Sequence, residues 1–184
     1  MNVVICMLRA VNLGGHNQIS MDALREICLS LKLRGPQTYI QSGNVVFGTA
    51  ERDPDKLAPR IESCIEKRFG FRPSVILRTA SEMRDVVARN PFAARPGVEP
   101  SKLVVSFLAA APTPETRDRV LAIKVGPEEL RHSGSEFYIY FPDGQGRSKL
   151  PPALDRTLKM PATARNWNTV TKLLAMAEDL ESGS

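Results

Sequence analysis

Apolar positions along the chain change their period in a repeated order. Residues 3–8 form a continuous apolar, β-branched-rich run closed by Asn12-Leu13-Gly14-Gly15, the pattern of a buried strand running into a loop. Met21, Leu24, Ile27, Cys28 and Leu31 then recur at helical spacing behind Ser20, a residue type that caps helix starts, and Gly35-Pro36 marks the expected stop. Residues 38–41 and 44–47 read as short strands joined through Ser42-Gly43. Leu57, Ile61, Cys64, Ile65 and Phe69 restore the helical period before Gly70, and Pro59 predicts a late start or a bend. A strand over residues 71–77 completes the order β-α-β-β-α-β, the split arrangement of ferredoxin-like domains.

The order then starts again. A helix marked by the capping box Thr79-x-x-Glu82 stops before Asn90-Pro91, and Arg95-Pro96-Gly97-Val98-Glu99-Pro100 has the composition of a linker. Beyond it come a strand over 102–108, a helix opened by Thr113-Pro114, and a hairpin of 129–132 and 136–141 turning through Ser133-Gly134. The repetition predicts an α+β protein of two ferredoxin-like lobes, 1–95 (with the linking helix) and 96–184. After residue 141 no strand is legible. Residues 150–159 and 163–179 read as helices, so the second lobe is expected to lack its last strand.

Composition excludes whole classes. With 184 residues, 42 % apolar and 24 % charged, the chain is no collagen, disulfide scaffold or disordered tail. Cys6, Cys28 and Cys64 fall on apolar runs with no Cys-x-x-Cys or His cluster nearby, so they read as core residues, and no metal or cofactor is expected. No run approaches the roughly 18–20 apolar residues of a membrane span, and the first residues lack a signal peptide's basic start. The expected location is cytoplasmic.

Charge is uneven. Residues 144–172 hold six basic residues (Arg147, Lys149, Arg156, Lys159, Arg165, Lys172) against Asp155 alone, which equals the whole net charge of +5. A neutral body with one basic segment predicts an anionic partner, a nucleotide or nucleic acid, or else a solvated helix face.

Three loops carry candidate chemistry. Gly14 and Gly15 allow the close backbone approach that phosphate-cradling loops need, without a nucleotide fingerprint around them. Gln41, Ser42 and Asn44 place amides and a hydroxyl at a hairpin tip. Gly144-Gln145-Gly146-Arg147-Ser148-Lys149 combines glycines, a hydroxyl and two cations, enough for a backbone nest with charged donors. It follows Phe137-Tyr138-Ile139-Tyr140-Phe141, whose alternation puts the two tyrosines on one face, helix-covered or solvent-facing. Thr163 reads as the cap of the final helix, which places Arg165 and Asn166 in its first turn, where free N–H groups favour an anion.

Arg9-Ala10-Val11-Asn12-Leu13-Gly14-Gly15-His16-Asn17, Tyr39-Ile40-Gln41-Ser42-Gly43-Asn44-Val45-Val46-Phe47, Asn90-Pro91-Phe92, Gly146-Arg147-Ser148-Lys149 and Thr163-x-Arg165-Asn166-Trp167-Asn168-Thr169-Val170 together resemble the bacterial domain-of-unknown-function 1697 family. The resemblance implies a two-lobed α+β fold and no established activity, cofactor or catalytic residue. The residues themselves predict a binding protein for a phosphate-bearing ligand, using Arg9, Asn12, Gly14, Gly15, Gln41, Ser42, Asn44, Lys149, Arg165 and Asn166. An enzyme on such a ligand with His16 as general base, and a protein-interaction module, are the competing readings.

Overall fold

The computed structural model of the protein describes residues 1–183. They form two compact units, 1–85 together with the chain from 171 on, and 86–170. The division falls inside the helix that follows the first sheet, ahead of the Pro/Gly stretch 95–100.

The first unit contains β1 (Asn2–Leu8), α1 (Met21–Ser30), β2 (Arg34–Tyr39), β3 (Asn44–Thr49), α2 (Leu57–Phe69) and β4 (Val75–Thr79). Its four strands lie in the order β2-β3-β1-β4, every pair antiparallel. Val4, Cys6, Leu8, Val45, Phe47, Val75 and Leu77 alternate onto the face that α1 and α2 cover with Leu24, Ile27, Cys28, Ile61 and Ile65. Ser20 caps α1 by accepting from the Ala23 N–H at 3.1 Å. The helix does not end at Gly35-Pro36, as expected. It closes earlier, through a left-handed Lys32 with the Leu33 N–H reaching the Cys28 carbonyl at 3.0 Å. Gly35 and Pro36 belong to β2, an edge strand, at the register shift between Arg34 and Gln37, where a missing N–H costs no ladder bond. Pro59 is the third residue of α2, in a turn whose N–H groups are free anyway.

The second unit repeats the plan with β5 (Leu103–Leu108), α4 (Pro114–Leu121), β6 (Glu129–Ser133), β7 (Glu136–Tyr140), α5 (Leu150–Leu158) and β8 (Ala162–Asn166). Its order, β6-β7-β5-β8, is the first sheet's order again. The expected loss of the last strand is therefore wrong: Ala162–Asn166 pairs antiparallel with β5 along its length. Thr163 is a strand residue, and α6 (Trp167–Ser182) begins four residues after it. The duplication extends to single positions. Arg78 lies opposite Ile5 as Arg165 lies opposite Val105, and both donate Nη1 to the preceding carbonyl at 2.8 Å. Asn44 opposite Met7 and Glu136 opposite Phe107 are both buried polar residues opening the second hairpin strand.

Between the sheets in sequence lies α3 (Ala80–Ala88), opened by the reciprocal capping box. The Thr79 N–H donates to Glu82 at 2.7 Å and the Glu82 N–H to the Thr79 hydroxyl at 3.2 Å. Among the described residues no helix is long and apolar enough to cross a membrane.

The cysteines separate. Cys6 and Cys28 are fully buried, but Cys64 is only half-buried, because it sits at the rim of the α1–α2 contact beside Ser30, Lys67 and Arg68. Burial pushes the Cys28 thiol up to about 12. Native thiol labelling at neutral pH should therefore modify Cys64 well before Cys28. Equal rates at both sites would contradict this placement.

Candidate functional site

In the first unit the two-glycine loop and the hairpin tip meet. The Asn12 side chain makes three hydrogen bonds: its Nδ2 donates to the Ile19 carbonyl at 2.9 Å and the Gln41 carbonyl at 2.8 Å, and its Oδ1 accepts from the Ile19 N–H at 2.8 Å. The Leu8 N–H donates to the Gly43 carbonyl at 2.8 Å. Asn44 donates to the Tyr39 carbonyl at 3.1 Å and the Ser42 hydroxyl at 2.8 Å. The Asn12 and Asn44 amides are thus engaged in a latch between loop and hairpin. Gly14, Gly15, His16 and Gln41 are exposed on it, and Arg9, half-buried, donates its backbone N–H to Ser74 at 2.9 Å.

Lys149, Arg165 and Asn166 belong to the second unit. Arg165 and Asn166 are not in a first helical turn, because β8 includes both. Arg165 is 7 % exposed, and its Nη1 donates to the Thr163 hydroxyl and the Ala164 carbonyl, each at 2.8 Å. Asn166 donates to the Ser101 carbonyl at 2.8 Å and caps α6 by accepting from the Asn168 N–H at 3.0 Å. Tyr138 turns to the covered face of its sheet. Its hydroxyl donates to the Val86 carbonyl at 2.7 Å, and burial raises its pKa well above the usual tyrosine value.

The 144–149 loop does form a concave site. A cavity of about 370 Å³ opens between this loop and residues 125–128, with Phe141 and Pro142 in its wall. Gly144 has φ +81°, and a Cβ on Gly144 or Gly146 would meet nothing, so the loop backbone faces open space. Ser148 anchors the loop: its hydroxyl donates to Glu128 and accepts from the Leu150 N–H at 3.0 Å. Arg147 and Lys149 line the cavity exposed, with no ion pair to another described residue. Arg68, Arg72, Arg84 and Arg95, by contrast, hold carboxylates at 2.6–3.0 Å or closer. Glu128 and Asp143 escape a reading of the sequence as site residues. Glu128 reaches the cavity from a loop more than a dozen residues upstream, and only the β6–β7 hairpin brings the two segments together.

The remaining titratable candidate is His132, whose Nε2 is buried without a hydrogen-bond partner and whose ring packs 4.9 Å from that of Phe137. Desolvation lowers its pKa. Among the described residues no group of three or more His, Cys, Asp or Glu is placed to hold a metal.

The family model described as protein of unknown function (DUF1697) matches residues 1–138. The chain belongs to this family. A solved structure, that of the conserved bacterial protein SP0830 from Streptococcus pneumoniae, is similar with a TM-score of 0.73. The likeness covers 96 % of this chain and 98 % of that one at 20 % identity, and at that identity it speaks for the fold alone. No curated protein matches the chain. The family match ends at Tyr138, so the cavity loop lies beyond the matched residues.

Proposed function

We propose that the protein binds a phosphate-bearing ligand, a nucleotide or nucleic acid, at the cavity closed by residues 144–149. The observation that carries this reading is the pair of unpartnered cations, Arg147 and Lys149, beside a glycine backbone with open space in front of it. A small nucleotide suits the site better than a long polyanion. Of the six cations in 144–172, Arg165 is buried and Lys172 lies in the other unit, so the basic segment is no single stripe.

A nucleotide at 100 times its Kd should stabilise the protein by about 2.7 kcal/mol, raising Tm by roughly 5–10 °C. The double substitution Arg147→Gln/Lys149→Gln should abolish that shift and leave the ligand-free Tm unchanged, since both side chains are exposed. A shift that survives the double substitution moves the site elsewhere. Binding restricted to single-stranded nucleic acid, with a steep salt dependence, would select the polymer as ligand.

A further inference from the structure

Resting on the phosphate reading, the make-up of the same cavity's wall narrows the ligand. Its wall carries both signs of charge. Arg147 and Lys149 stand with Glu128 and Asp143, and a bare phosphate entering there would meet two carboxylates as well as two cations. A carboxylate in a binding wall is an acceptor, and it favours a ligand that brings O–H or N–H donors. Glu128 is held for that role. The Ser148 hydroxyl occupies its Oε1, the Leu150 N–H holds Ser148 in place, and Oε2 remains for another donor. Val125, 43 % exposed, and the half-buried Pro142 add an apolar flank. The volume of about 370 Å³ is at the small end of the roughly 300–1,000 Å³ of ligand pockets, the size of a mononucleotide rather than a dinucleotide.

We propose that this cavity takes a nucleoside monophosphate, with its phosphate on Arg147 and Lys149 and its ribose diol on Glu128 and Asp143. Carboxylates meet ribose hydroxyls in the same way in dinucleotide sites. Val125 and Pro142 flank the base.

Calorimetric titration of the full chain tests this with four probes: adenosine 5′-monophosphate, its 2′,3′-dideoxy analogue, ribose 5-phosphate and inorganic phosphate. The monophosphate should bind at least about tenfold more tightly than the dideoxy analogue and than inorganic phosphate, the scale of one lost hydrogen-bonding group. Ribose 5-phosphate should fall between, by the contribution of the base. Glu128→Gln/Asp143→Asn should erase the preference for the diol while leaving inorganic phosphate bound as well or better, and Tm measured in parallel checks that the variant folds. Equal binding of the monophosphate and its dideoxy analogue, or of the monophosphate and inorganic phosphate, overturns the nucleotide assignment and leaves the phosphate reading standing. Failure of all four probes, with no perturbation of the Gly144 and Gly146 amide resonances, removes both.

Discussion

Gly43→Ala should destabilise the protein by about 2–5 kcal/mol, the largest effect expected from adding one methyl group to this chain. A Cβ at position 43 would stand 2.5 Å from Val11 Cγ2 and 2.9 Å from Leu8 Cβ, and both of those residues are buried. Neither neighbour can yield easily. Leu8 is the last residue of β1, and its N–H is bonded to the Gly43 carbonyl. Overpacking of this kind costs about 1–3 kcal/mol, and the left-handed φ of +75° adds about 1–2 kcal/mol for an L side chain. Gly144→Ala is the control, since its φ is also positive but its Cβ would meet nothing. That substitution should cost only the backbone contribution, about 1–2 kcal/mol. Urea denaturation of the two variants measures the difference. Equal losses would mean that the hairpin tip and the two-glycine loop are not packed against each other.

Arg165→Ala should cost about 2–4 kcal/mol of stability. A cation in the first turn of a helix would oppose the dipole by about 0.3–1 kcal/mol, so its removal would be neutral or helpful. In β8 the opposite holds. The guanidinium is buried and donates to the Thr163 hydroxyl and the Ala164 carbonyl, and hydrogen bonds to a charged group contribute about 1.5–3 kcal/mol. Truncation also empties the space of a long side chain on a covered sheet face. Arg165→Lys should recover only part of the loss, because one ammonium cannot present the planar fork of donors. An alanine variant as stable as the parent would show that the guanidinium is not held in this way.

The two arginines at matching sheet positions show why one strand was legible and the other was not. Val75-Ile76-Leu77-Arg78-Thr79 carries three successive apolar residues, and strand geometry follows from them. Ala162-Thr163-Ala164-Arg165-Asn166 carries small and polar residues whose local preferences fit a helix start as well as a strand. Pairing with β5 decides between them. Ala162 adds to the core on one side, and Thr163 and Arg165 satisfy each other on the buried opposite side, which no local pattern reports.

The candidate site divides along the same line. The glycines and cations of 144–149 are visible in order along the chain, because turn chemistry and charge are local properties. Asn12 and Asn44 look equally like ligand donors in the sequence, yet their amides close the latch between loop and hairpin. Whether an amide faces a ligand or a neighbouring carbonyl depends on what the fold brings within about 3 Å of it.

By itself the amino-acid sequence determined the first lobe's β-α-β-β-α-β order, its partial repetition in the second lobe, the caps at Ser20, Thr79 and Thr113 and the buried faces of α1 and α2. These follow from side-chain period and from hydrogen bonds spanning three residues, so they are written locally. Only the tertiary structure decided that the second sheet is complete, that Arg165 is buried, and that Glu128 joins Arg147 and Lys149 around one cavity. Each of these depends on residues far apart in the chain, brought together by sheet pairing and by a hairpin, and contacts of that range leave no period in the sequence.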